Sequence, residues 1–444
     1  MSDRIIRFGG SNIGNSNSAI NLDNFLSREK GRKIIVVSAI PEILLWIEKR
    51  VELVFKEHIV AANLNQKLTS FFEDRVDGKP TTEYFRLVEQ LLSLLQGIAL
   101  IGDYSKALKD QVLSFSEKLS VEILIAEWKV KNKSVESLWP EQIGLRANSE
   151  YGNATLLDVN TNFLNSLSEG VYILPGSYGI SEKGKTVRSG ITAADYTAAF
   201  LTSSMGVEKL ELWGLDNFFQ KADPQIVSNP PVIERLTYSE ASELAYFEHY
   251  SFHPRTVEPL ELKHIPIQVL NTSDDKGKID TTINTETYID DKIVKSVACT
   301  DDISFLKLDG PGVGLKPGIL AKITTQLNDA GINIKSVITS QISINIILEK
   351  NTGDKALKIV EKLGFNTVKD IHLIKDVSLI GIIGHGMQQN YGVSAKIFSA
   401  VAQHKINVLL SGSGASDLVS YLVVNSNDKE KSVRVIYQAF FGSY

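Results

Sequence analysis

Cysteine is nearly absent from this 444-residue sequence, and the single one, Cys299, excludes an internal disulfide. The seven histidines stand apart from it and show no His-Glu-x-x-His spacing, so no metal site is expected. An excess of one charge is also missing. With 47 basic and 52 acidic residues the formal net charge is -5, which offers no basic field to a phosphodiester backbone and argues against nucleic acid as a partner. Long apolar runs are lacking too. Ile34 to Ala39 is broken by Ser38 and falls far short of about 18 residues, and the opening MSDRIIRFGG has no signal-peptide core. These absences predict a cytoplasmic protein of a reducing compartment, with no membrane partner.

What remains is ordinary globular composition, 43% hydrophobic and 22% charged, in a chain long enough for two to four domains. The apolar run Arg4 to Phe8, the pair Gly9-Gly10 and the β-rich run Lys33 to Ser38 form a strand, loop, helix, strand series typical of a parallel sheet buried on both faces. Further on, Tyr84, Leu87, Val88, Leu91, Leu92 and Leu95 fall at i, i+3, i+4, i+7, i+8 and i+11, the core stripe of a helix. Strand-like runs return at Gly170 to Pro175, Lys209 to Trp213 and Ile265 to Leu270, with helical segments at Ala193 to Leu201 and Ser239 to Phe247. The first 270 or so residues read as one α/β domain.

A polar, charged stretch from about 274 to 292 marks the expected boundary. Beyond it lies an internal repeat: Gly318 to Ile334 overlays Gly392 to Val408 without a gap. In each copy a strand (Ile303 to Leu308; Leu379 to Ile383) passes through a Gly-rich loop into a helix, then an Ile-Asn step leads to two more strands. This predicts two ferredoxin-like βαββαβ modules.

Gly-rich loops after parallel strands present N–H groups that hold phosphate or carboxylate. Three fall in the first domain, at Arg7 to Ser11, Pro175 to Gly179 and Ser189-Gly190 before Asp195. Singly, each is more often a tight turn. Together they indicate an α/β domain with anion-binding loops.

Arg7-Phe-Gly-Gly-Ser11, Leu113 to Ser120, Tyr151-Gly-Asn-Ala154, Ala222-Asp-Pro224, Tyr238 to Phe247, His253-Pro-Arg-Thr256 and Ile265 to Thr272 occur in the order found in aspartokinases. The chain resembles that family, amino acid kinases with C-terminal ACT domains, almost end to end. The resemblance implies an αβα sandwich with a mainly parallel sheet over 1–285. It also implies ACT domains at 300–374 and 375–444, the second completed by 293–299. The implied reaction transfers the γ-phosphoryl group of ATP, with Mg, to the side-chain carboxylate of aspartate, the first step of the aspartate-derived amino acid pathway.

Carried over motif by motif, the resemblance makes Arg7 and Asp195 catalytic and Ser11 and Glu117 substrate-binding. Gly9, Gly10, Trp213, Asp216 and Lys221 would bind the nucleotide. Asp195 is also weighed as a helix N-cap, and His253 as a structural residue of its turn. Cations of the family pattern are lost at Ile191, Gln225 and Tyr250, its first lysine is Arg7, and the glycines of its second loop are Pro41 and Glu42. Arg188 and Lys221 are the nearby basic residues, each read as a solvated surface charge. The expectation is a kinase with weak or lost ATP turnover; the alternative is an inactive homologue that senses amino acids through its ACT domains. Gly318, Thr339, Ser340 and Gln341 would bind that effector, lysine, threonine or another amino acid, in a homodimer.

Overall fold

A computed structural model of the chain describes residues 3–9, 11–53, 60–129, 135–190, 193–214, 219–247, 252–273, 276–288, 293–314, 316–413 and 416–442. The chain divides into two compact units. The first comprises 1–219, 232–245 and 250–286, and the second 220–231, 246–249 and 287–444.

The first unit is built on an eight-stranded sheet. Its order is Arg235–Thr237, Ile279–Asn284, Ile267–Asn271, Leu210–Gly214, Arg4–Phe8, Arg32–Val37, Gly170–Pro175 and Val135–Ser137. The pairings are parallel except between Ile267–Asn271 and Ile279–Asn284. All six residues of Arg32–Val37 are buried, as expected of a β-branched run covered on both faces. The polar stretch expected to be the boundary holds the last strand of this unit, Ile279–Asn284, and the unit ends within that stretch at residue 286. Thr281 and Ile283 face inward while their neighbours do not, so alternation overrides composition there.

Of the two long helices of this unit, Lys106–Lys129 packs on the sheet and Thr82–Ile101 packs on Lys106–Lys129. Thr82–Ile101 starts at Thr81, whose side chain accepts the Tyr84 N–H, ends at left-handed Gly102, and buries the expected stripe from Tyr84 to Leu95 plus Ile98, with Leu92 half-buried. It is long and apolar enough to cross a membrane, which runs alone did not disclose, yet that stripe belongs to the hydrophobic core. Lys106–Lys129 is buried nearly all round, so the polar groups it carries inward, Asp110, Ser114, Ser116, Glu117, Ser120 and Glu122, need partners.

In the second unit two four-stranded antiparallel sheets repeat one plan. The first runs Ile334–Thr339, Ser343–Leu348, Ser304–Asp309, Asp370–Ile374; the second runs Val408–Ser413, Val419–Asn425, Val377–Ile383, Ser296–Thr300. The repeat extends to matching register irregularities, between Ile334 and Ser336 and between Val408 and Leu410. The outermost strand of the second sheet comes from before the first module. Residues of both sheets, among them Lys335, Ile347, Leu379, Tyr421 and Val423, line a cavity of about 260 Å3 together with Tyr246.

Gly176, just past the Gly170–Pro175 strand, lies where a Cβ would stand 2.6 Å from both Ala194 Cα and Val36 Cγ1. Backbone on one side cannot yield. Gly176→Ala is expected to cost about 2 kcal/mol, the range of overpacked sites, read as a lower urea midpoint at unchanged slope.

Candidate active site

Parallel strands of an open sheet end on one side, and their loops converge there. Arg7 is the penultimate residue of Arg4–Phe8, registered beside Val36 and Leu212, so its side chain leaves the sheet into the interior and is 3% exposed. It forms an ion pair with Asp195, the third residue of the helix Ala193–Met205. Asp195 is fully buried; its second oxygen accepts the His253 N–H at 3.1 Å. Burial pushes its carboxyl up, and Arg7 pulls it back. It is thus the buried partner of Arg7 within the first turn of that helix rather than its N-cap.

His253 caps the turn Pro254–Thr256, its Nδ1 accepting the Arg255 N–H at 3.2 Å. Burial first, then Arg255, pushes it down to about 4, so it stays neutral at pH 7. Arg255 reaches across to the Ala154 carbonyl (3.3 Å), Thr155 Oγ1 (3.0 Å) and the Tyr196 hydroxyl (3.1 Å). The His-Pro-Arg-Thr and Tyr-Gly-Asn-Ala motifs, about a hundred residues apart, are held together by one guanidinium.

Glu117 is 1% exposed, and its Oε2 accepts the Ser177 N–H at 2.7 Å. Burial raises it to about 7, opposed by the charge of Arg188 and by hydrogen bonds from Ser177 and Gly176. Arg188, expected to be a solvated surface charge, is 5% exposed. A charged side chain on the short strand Thr186–Arg188 gives no local sign of being buried; the packing of the strand against the helix Lys106–Lys129 decides it. Its Nε points to Ser177 Oγ at 3.4 Å. The Asp110 carboxylate accepts the N–H groups of both Arg188 and Gly152 at 2.9 Å. Asp110 was missed in the sequence, although it lies two helical turns before Glu117 on the same face, a spacing that could have revealed it.

Of the other expected residues, Gly9 follows the first strand, where a Cβ would stand 1.9 Å from Ser38 Oγ. The neighbouring loop is closed from the helix: Ser120 Oγ accepts the Ile40 N–H at 2.8 Å. Ser11 opens the helix Ser11–Gly14, its side chain outside the described residues, as are Gly10 and Asp216. Trp213 is fully buried, 4.7 Å from Phe25 between ring centroids, and donates to Glu211 at 3.1 Å. Lys221 belongs to the second unit, with its ammonium 5.3 Å from the Phe441 ring centroid. Ile191 and Tyr250 also lie outside the described residues, and Gln225 is exposed. Among the described residues no group of three His, Cys, Asp or Glu side chains gathers to hold a metal.

In the second unit Gly318 begins the helix Ile319–Asp329 in a left-handed conformation, φ 88°, as Gly392 does in the repeat at 84°. The Gly-rich loop meets the turn after Ile334–Thr339 through the Gly310 N–H to the Ile342 carbonyl (2.9 Å) and the Gly314 N–H to that of Gln341 (3.1 Å). Thr339, Ser340 and Gln341 are brought beside that loop and are exposed.

The amino acid kinase family pattern matches residues 4–271, and ACT domain patterns match 298–362 and 380–440. A bifunctional aspartokinase/homoserine dehydrogenase of Haemophilus influenzae is 27% identical, over 80% of this chain and 44% of that protein. Aspartokinase 3 of Bacillus subtilis is 23% identical, over 99% of this chain and 98% of its own. The chain spans about half the length of the bifunctional relatives it matches. The solved structure of E. coli aspartokinase III in complex with aspartate and ADP superposes with a TM-score of 0.82 at 21% identity, covering 99% of this chain and 100% of that one. The same enzyme with lysine and aspartate gives 0.74 at 21% identity, covering 98% and 99%.

A carboxyl whose native pKa is raised binds its proton more tightly folded than unfolded, so stability is full below the unfolded value and declines as pH rises toward the folded one. For Glu117 the window is 4.5 to about 7. The wild type is expected to lose about 3 kcal/mol across it relative to Glu117→Gln, measured by urea unfolding at a series of pH values.

Proposed function

The chain belongs to the amino acid kinase family and carries two ACT domains, and on that premise we propose that it transfers the γ-phosphoryl group of ATP to the side-chain carboxylate of aspartate. The observation that supports this most is the gathering of Arg7, Asp195 and Glu117, from three distant stretches of chain, at the carboxyl ends of the central strands. The acceptor is already a carboxylate, so no base is required. Catalysis is a matter of positioning two anions and supplying positive charge. ATP enters as its magnesium salt. In this reading Arg7, aimed by Asp195, faces the transferring group, Ser11 and Glu117 address the amino acid, and Gly9 and Gly10 let the phosphates approach backbone.

Nucleotide affinity is low in this reading. Ile191, Gln225 and Tyr250 carry no charge, and each missing charge-assisted contact is worth about 1.5–3 kcal/mol. A second reading, a catalytically silent homologue that works through its ACT domains, is favoured by one observation: the helix Pro41–Leu53 begins directly after the second strand with Glu42 in its first turn, an anion where phosphate would otherwise be welcomed. A coupled assay decides between them. We expect aspartate-dependent ADP formation with a millimolar KM for ATP, lost in Asp195→Asn; its absence from the wild type at millimolar ATP moves the assignment to the second reading.

The ACT domains, in either case, are proposed to bind a free amino acid at Gly318 and Thr339 to Gln341, in a chain that is at least dimeric. A ligand that binds only the folded state at a hundred times its Kd adds about 2.7 kcal/mol. Screening the twenty amino acids at millimolar concentration should raise Tm with lysine or threonine but not in Ser340→Trp. Light scattering should give a mass well above the 49.0 kDa of one chain. No shift with any amino acid, or a monomer mass, rejects the corresponding part.

A further inference from the structure

Each four-stranded sheet of the second unit has one face covered by its helices and one that is not. In the first module Leu306, Leu308, Ile344 and Ile346 share a core with the helices, as Ile380, Ile382, Leu422 and Val424 do in the second. Strand alternation turns their neighbours to the opposite face, and there Phe305 and Ile347 in one sheet and Leu379 and Val423 in the other are also buried. The helix-free faces therefore meet, and the cavity of about 260 Å3 lies between them. Well-packed interiors hold few voids larger than a water molecule, so a space of this size calls for a cause.

The repeat supplies that cause. Ser336 pairs with Ile347 and Ile338 with Asn345 in the first sheet, and Leu410 pairs with Val423 and Gly412 with Tyr421 in the second. Gly412 thus stands where the first module has Ile338, and both line the cavity from edge strands of their sheets. A Cβ at Gly412 would meet Tyr421 Cδ2 at an ordinary 3.5 Å, so the missing side chain there is open space rather than a steric need. A second glycine fixes the neighbouring wall. Gly381 pairs with Tyr421 as Lys307 pairs with Asn345, and a Cβ at Gly381 would lie 2.1 Å from Phe247 Cζ, so this glycine admits that ring. Phe247 stands edge-on to Tyr246, with centroids 5.3 Å apart, and Tyr246 lines the cavity.

The floor is apolar and the rim polar: Ile347, Leu379 and Val423 are buried, whereas Ser411 is exposed. Among the described lining residues the one ionised side chain is Lys335. Its ammonium donates to the Asp302 carbonyl at 3.1 Å, pairs with the Asp302 carboxylate at 3.5 Å and lies 4.9 Å from the Tyr246 ring centroid. Asp302 is not part of the wall, so the cavity faces the positive member of that pair. A cavity of roughly 150 Å3 with an aliphatic and aromatic lining holds benzene, and this larger one has room for a ring and a short acidic chain. We propose that the space between the two helix-free faces is a ligand site for a small apolar monocarboxylate, its body among Leu379, Leu410 and Val423 and its carboxylate towards Lys335. The site is separate from the loop at Gly318 and Ser340, neither of which lines it.

Calorimetry on the full-length protein uses three probes: 3-phenylpropionate, 3-phenylpropionamide, which lacks the charge, and 3-phenylpropylamine, which reverses it. Wild type should bind the acid with a Kd below about 1 mM and about tenfold or more tighter than the amide, with the amine weakest. Gly412→Ile, which writes the first module's residue into the second, should weaken the acid by about tenfold or more while Tm is unchanged or raised. Lys335→Met should bring acid and amide within about threefold of each other by weakening the acid alone. Lys335→Gln serves if the melting curve shows the methionine variant unfolded. Ser340→Trp, in the loop proposed for a free amino acid, should leave the acid's affinity unchanged. The site is overturned if wild type does not bind the acid at millimolar concentration, if the amide binds as tightly, or if a folded Gly412→Ile keeps full affinity. Loss of the acid in Ser340→Trp overturns it as well, since that moves the ligand to the other loop.

Discussion

Everything around the strand ends depends on keeping the Arg7–Asp195 pair out of water. Either charge alone in that position would cost several kcal/mol, and the pair is tolerable only with good geometry and further hydrogen bonds. Those bonds are what organise the site. Asp195 anchors the helix Ala193–Met205 to the first strand, and its second oxygen fixes the His253 N–H. His253 then sets the turn from which Arg255 ties down Ala154 and Thr155. Asp110 secures the other flank of that loop through Gly152 and carries the order on to Arg188. One buried ion pair therefore propagates, partner by partner, through motifs from residue 7 to residue 255.

In the second unit a different constraint acts. A four-stranded sheet with two helices on one face needs a strand beside each central position, and the two modules find the last one differently. Asp370–Ile374 completes the first sheet from within, whereas Ser296–Thr300 completes the second from before the first module begins. The first module is thus an insertion between a strand of the second and the rest of it. Closing that pairing spans roughly the length of one module, and the entropy of closure falls once the first module has folded and drawn its own ends together. Both modules are bound into one cooperative unit by topology, before any contact between their side chains is counted.

The sequence disclosed what is periodic and local. The stripe from Tyr84 to Leu95, the fully apolar strands and the 318/392 repeat can be read because core faces impose spacing and left-handed turns select glycine. Asp195, Glu117 and Arg7 came from motif resemblance. What stayed hidden was tertiary. Ile279–Asn284 is polar because one of its faces is exposed, so composition hides a strand that lies just before the point where the first unit ends. Tyr246 and Phe247 follow the helix Tyr238–Ala245 yet belong to the second unit, and no local preference announces such a crossing. Arg188 and Asp110 look like any surface charge, because burial of a charge is decided by what other segments bring to it.

The buried charges at the strand ends also bear on the kinase reading proposed above. Two guanidiniums, Arg7 and Arg188, stand against three carboxyls, Asp110, Glu117 and Asp195, all at most 5% exposed. Near neutrality Glu117, raised to about 7, holds a proton part of the time, so the set is close to balanced or slightly anionic. A balanced set suits a zwitterion, which moves little net charge into the interior. A nucleoside triphosphate brings several negative charges and finds no surplus of positive ones among these groups, since Arg7 is already engaged. In the proposed kinase reading these electrostatics favour the amino acid and leave the neutralisation of ATP to the metal ion it carries and to backbone N–H groups.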